Sequence, residues 1–248
     1  MSLDVVDLRN FYAQPLGTVA RRLVGRGIRA RWPDTRGLGV AGIGYATPYL
    51  GLFREEAERC LAFMPAAQGV VKWPSATPTL SALVEERDLP LTDAAVDRVL
   101  LVHALEMAQD PGALLREVWR VLAAGGRLLA VIPNRRGVWA RTDTTPFGHG
   151  RPYSRSQITH LLRETWFTPA GWGEALYLPP VGRNWFLRSA FAWERAGATI
   201  SAPFAGVHIV EATKQVYRAI PARRERRLLV PALKPVLAPS PGGAARSS

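Results

Sequence analysis

Histidine is the side chain that exchanges a proton most readily near neutral pH, and this chain has four. His103 closes the apolar run Arg98–His103, just after Asp97. A histidine at a strand end either serves as a base or packs there as part of the structure. His149 sits in Thr145–Tyr153 (TPFGHGRPY), a stretch dense in aromatic, polar and glycine residues that also holds Arg151 and Tyr153. Such a loop either faces a bound molecule or is an ordinary surface connection. A third feature is the run from Val40 to Pro48 (VAGIGYATP), with Gly42, Gly44 and Ala46 as its small positions. Small residues at a strand end let the backbone approach a ligand closely, or simply make a turn. Cys60 is the only cysteine, so disulfides within the chain and thiolate-cluster zinc sites are excluded, and no metal is expected.

The elements that must position these residues alternate short apolar runs with longer amphipathic ones over residues 36–134, the pattern of βαβ units and a mostly parallel sheet. Strands are expected at Leu38–Gly44, Cys60–Met64, Arg98–His103, Arg127–Ile132 and His208–Ala212. Asp110-Pro111 reads as an N-cap with proline at the first helical position, opening a helix over Pro111–Leu122. Leu114, Leu115, Val118, Val121 and Leu122 form its apolar stripe, and Gly125-Gly126 allow the left-handed turn that ends it. A serine cap opens a second helix, Ser154–Glu164. Residues 1–34 read as a helical cap, with Leu8, Phe11 and Tyr12 and then Val19, Leu23 and Val24 at helical spacing. The tryptophans and phenylalanines of Arg183–Leu187 and Phe191–Trp193 read as core or lid, and residues 221–248 as a disordered, basic tail.

The stretch Glu86–Asn134 resembles class I S-adenosylmethionine (SAM)-dependent methyltransferases. Leu89-Pro90, Val96-Asp97, Leu105-Glu106-Met107, Asp110-Pro111, Arg120-Val121-Leu122 and Gly125-Gly126 fall in the family's order and spacing, with Met107 in place of the usual histidine. The resemblance implies a single α/β domain over 1–220 with the Rossmann-like class I methyltransferase fold. Residues 36–134 become the cofactor-binding core and 135–220 the substrate and lid region. It implies SAM as cofactor, held by Tyr12, Gly42, Gly44, Tyr45, Ala46, Thr47, Met64, Glu86, Val102 and His103. His103 becomes the catalytic candidate, and His149, Arg151 and Tyr153 the substrate-binding ones. Two departures stand out: Gly42 and Pro48 replace an acid and a glycine of the loop, and the second strand runs into Pro65 without the acid that holds the ribose. Loss of that contact weakens binding by roughly 1.5–3 kcal/mol.

Methyl transfer from a sulfonium needs mainly alignment and water exclusion, with a base only where the acceptor must lose a proton. The acceptor expected is a small or lipid-like molecule; a methyltransferase-like binding protein without turnover is the alternative. Val102-His103-Ala104-Leu105 stands where adenine- and glutamine-directed enzymes carry a proline-rich segment, and Cys60 lies on the wrong strand for pyrimidine C5 methylation. The net charge is +12, of which residues from Arg218 onward carry half. That charge reflects either a GC-rich codon bias or attraction of the tail to anionic partners. The tail lacks the interleaved aromatics that stack bases, which argues against nucleic acid. No apolar run is long enough to span a membrane, and the first residues lack a secretory pattern, so the cytoplasm is the expected compartment.

Overall fold

Fully buried apolar strands are what a parallel sheet covered on both faces requires, and the runs found above build one. In the computed structural model seven strands form a single sheet of order β3-β2-β1-β4-β5-β7-β6. In chain order the elements are α1 Val5–Ala13, α2 Pro15–Arg31, β1 Gly39–Gly44, α3 Thr47–Leu50, β2 Arg59–Pro65, β3 Ser81–Val84 and β4 Val96–Val102. They continue with α4 Pro111–Val121, β5 Leu122–Pro133, α5 Arg155–Glu164, β6 Phe167–Ala175 and β7 Val207–Lys214. β1 to β5 pair in parallel, and β7 runs antiparallel between β5 and β6. The structure describes residues 3–75, 78–182, 189, 194 and 205–216. The basic tail and the 183–188 and 190–193 aromatic stretches lie outside them.

Side chains alternate across the strands, so each strand feeds two cores. Leu100, Val102, Leu129, Val131 and Ile209 join Leu8, Ala20, Leu23, Val24 and Ile28 of α1 and α2 on one face. Val99, Leu101, Leu128, Ala130 and Val210 meet Leu114, Leu115, Val118, Ile158 and Leu162 of α4 and α5 on the other. Each of the valine, leucine and isoleucine side chains contributes about 1.5–3 kcal/mol on leaving water.

The N-terminal region is two helices, because Gln14 is extended and Pro15 restarts the chain. Gly17 makes the joint tight: a β-carbon there would lie 1.9 Å from the Phe11 carbonyl oxygen. Helix α4 stops at Val121, one residue before the expected end, and Leu122 already pairs with Val96 in the sheet. Gly125 does take a left-handed φ of 74°, but within the β5 segment. β4 begins at Val96 and ends at Val102, leaving His103 just outside the strand.

Candidate functional site

β1 and β4 are neighbours, but the chain leaves them toward opposite edges of the sheet, so a crevice forms outside their carboxyl ends. Gly44 ends β1 at φ 80°, and the Tyr45 N–H donates to the Val102 carbonyl across 2.8 Å. A β-carbon on Gly44 would come within 2.3 Å of that oxygen, so only glycine allows this turn. His103 leaves β4 at φ 50°, a left-handed conformation unusual for a side-chain-bearing residue.

A buried polar chain occupies the crevice. The Glu106 carboxylate lies 3.2 Å from His103 Nδ1, and the Tyr12 hydroxyl 2.9 Å from His103 Nε2. The Tyr49 hydroxyl is 3.1 Å from that of Tyr12. With a carboxylate at Nδ1, the proton belongs on Nδ1, so Nε2 accepts from Tyr12. Burial, then Tyr49, pushes the Tyr12 phenol well above its usual range, so it stays a donor. His103 is fully buried and Glu106 nearly so, and Oε2 of Glu106 has no hydrogen-bond partner among the described residues. The Tyr45 ring stacks on Tyr12 at 5.7 Å, and Phe147 stands 4.8 Å from the His103 ring. Gln68, beyond β2, donates its amide to the His103 carbonyl, while its own carbonyl accepts the Val5 N–H that starts α1.

The structure brings Tyr12, Gly44, Tyr45, Val102 and His103 together. Gly42 lies inside β1 and lets α3 pack: a β-carbon there would meet Ala46 and Leu50 at 2.7 Å. Ala46 leads into α3, and Thr47 lines a cavity of about 650 Å³ with Tyr45, Arg9 and Lys72. Met64 is buried, its sulfur accepting the Val71 N–H at 3.3 Å. Glu86 is partly buried after β3, and burial raises its carboxyl above the usual range. His149 donates through Nε2 to the Asp143 carbonyl at 2.8 Å and lines a separate cavity of about 380 Å³ with Asp7, Asn10 and Gln14. Arg151 is exposed, and its N–H donates to the Glu106 carbonyl at 2.8 Å. Tyr153, partly buried, exchanges backbone bonds with Pro133 and Arg135. Of these three, His149 alone lines the cavity of about 380 Å³. Glu106, Gln68 and Tyr49 join the site without standing out in the sequence. The three-residue spacing from His103 to Glu106 was the signal available for the first; Gln68, a lone amide in a loop, gave none.

Residues 25–130 match the family model described as a methyltransferase domain. A probable S-adenosylmethionine-dependent methyltransferase of Mycolicibacterium smegmatis is 37% identical over 82 residues, 32% of this chain and 32% of the relative. The chain thus matches about a third of the length of that curated relative. Among solved structures, an SAM-dependent methyltransferase from Thermotoga maritima superposes with TM-score 0.56 at 17% identity, covering 85% of this chain and 96% of that one. The cyclase SpnF superposes with TM-score 0.53 at 21% identity, covering 82% and 80%. At those identities the likeness is one of fold. The fold is the Rossmann-like class I methyltransferase fold; the model match is to a methyltransferase domain, and the curated relative is named as a probable S-adenosylmethionine-dependent methyltransferase.

The residues fit SAM in part. The glycine turn at Gly44 and the half-buried carboxyl of Glu86 suit such a cofactor, whereas β2 ends in Met64-Pro65 with no carboxylate to hold a ribose. The buried ring of Tyr12 occupies the crevice against Tyr45 and His103, the residues that follow β1 and β4. Among the described residues no helix is long and apolar enough to cross a membrane, and no cluster of three or more His, Cys, Asp or Glu is placed to hold a metal.

Proposed function

We propose that the protein is a SAM-dependent methyltransferase acting on a small or lipid-like acceptor, with the cofactor in the crevice outside β1 and β4. The observation that carries this reading is the Glu106–His103–Tyr12 hydrogen-bonded chain at the switch point of a methyltransferase fold. When bound, SAM supplies a methyl group on a sulfonium, a reactive centre with a good leaving group. The protein's share is alignment, exclusion of water and, for a hydroxyl acceptor, removal of a proton. Glu106 fixes the tautomer, and His103 Nε2 is the atom that takes the proton. Tyr12 must first release that atom, so entry requires α1 to move aside, and Phe147 brings the 145–153 loop to the acceptor side. Cys60, a free buried thiol, suits a reducing compartment such as the cytoplasm.

The filled crevice and the missing ribose acid favour a second reading, a methyltransferase-like binding protein without turnover. Calorimetric titration of the full chain with SAM and S-adenosylhomocysteine tests both, alongside Tyr12→Ala. Micromolar binding, tightened in Tyr12→Ala, supports the cofactor site, and labelled methyl transfer to a cell extract then separates enzyme from binder. No binding at millimolar ligand by either form sinks the cofactor reading.

A further inference from the structure

Beyond β5 the fold holds another cavity, of about 360 Å³, that the proposed methyl-transfer site does not use. Its floor is His208, which lies on β7 opposite Ile132 of β5 and Glu174 of β6. His208 is 5% exposed, and its Nδ1 makes no hydrogen bond among the described residues. Glu174 Oε1 lies 3.4 Å from that nitrogen without bonding geometry, and Glu174 Oε2 accepts the Tyr177 hydroxyl. Nδ1 is closed off from solvent on the Glu174 side, and His208 is one of the residues lining the cavity.

The walls are cationic. Arg136 follows β5 and Arg155 opens α5, and neither guanidinium has a carboxylate partner among the described residues. Arg155 is steadied over the Trp172 ring at 4.5 Å. In the first turn of α5, Ser154 and Gln157 cap each other, which leaves the N–H groups of Arg155 and Ser156 outside the helix's own bonding. Burial and Arg155 hold His208 down at about 4, so the imidazole is neutral at neutral pH.

We infer that this cavity binds a phosphate monoester. Two planar guanidinium forks, two helix N-terminal N–H groups and the Ser156 hydroxyl offer more donors than a carboxylate has oxygens, and they suit a tetrahedral oxyanion. The volume leaves room for a small organic group on the phosphate. The charged groups facing His208 are Glu174 on β6, Arg155 on α5 and Arg136 after β5. A bound phosphate dianion offsets the two arginines, and His208 takes up a proton and bridges phosphate and Glu174. Ligand binding is therefore coupled to protonation.

The inference stands apart from the methyltransferase reading, because SAM and phosphate are titrated separately and either can fail alone. The test is titration of the full chain with inorganic phosphate and with glycerol phosphate, following imidazole resonances by NMR. His208 is assigned by its loss in His208→Asn, and acetate and chloride serve as controls at equal ionic strength. Expected are saturation by both phosphates and a rise of the His208 pKa by about one unit or more. Arg136→Gln combined with Arg155→Gln, both at exposed positions, weakens binding roughly tenfold or more with melting unchanged. Absence of saturation overturns the site, as does an equal response to acetate. Binding that survives the double variant does so too, because the phosphate is then held elsewhere on this basic chain.

Discussion

At the scale of single residues, the crevice is held by groups whose removal has readable costs. Tyr12→Phe deletes the hydroxyl that serves both His103 and Tyr49, leaving buried polar atoms unmet. The loss expected is about 1–3 kcal/mol in urea unfolding; an unchanged midpoint would mean that this chain of bonds contributes nothing. Gly44→Ala is penalised twice, by a φ of 80° that costs about 1–3 kcal/mol and by the approach to the Val102 carbonyl. Thermal melting should fall accordingly. His208 titrates at about 4 in the fold against its usual 6.5. As pH falls through 6.5 the unfolded chain takes up the proton first, so stability drops between 6.5 and 4 and is unaffected by this group above that interval. The slope is at most about 1.36 kcal/mol per pH unit. His208→Asn should flatten it in urea midpoints measured across the same interval.

At the scale of elements, Arg120 near the end of α4 pins the segment between β3 and β4. Its guanidinium donates to the carbonyls of Leu91 at 2.8 Å and Leu89 at 3.2 Å while pairing with Asp93 and Glu117. Arg120→Gln should speed hydrogen exchange at Leu91 and Ala94, whose amides bond within this clamp, and leave the central strands protected. The central strands were legible because β1, β4 and β5 are buried on both faces and read as unbroken apolar runs. The edges were not. β3 is four residues long and exposes 51% of Leu83, so it carries no apolar pattern. β6 holds Pro169, Gly171 and Gly173, residues that read as turns and are tolerated because an edge strand can break register there. In the site, His103, Tyr12 and Gly44 could be found from their places at element ends. Glu106 and Gln68 act through contacts that only the tertiary fold creates.

At the scale of the molecule, charge and connectivity dominate. From Arg218 to the C-terminus seven Arg or Lys stand against Glu225 alone, half of the net +12. A chain ending at Tyr217 should therefore bind heparin or anionic vesicles more weakly, with a shallower salt dependence, and retain its melting temperature. Equal retention by the full and shortened chains would place the anionic contact before Arg218. The seat of α1 has a consequence in time. Tyr12 bonds to Tyr49 and His103, which are 37 and 91 positions away in the chain, and Val5 bonds to Gln68 beyond β2. Contacts of such long range form late, after β1, β2 and β4 have assembled. The seat of α1 thus depends on strands far along the chain, and a ligand that reaches His103 Nε2 competes with the Tyr12 hydroxyl for it.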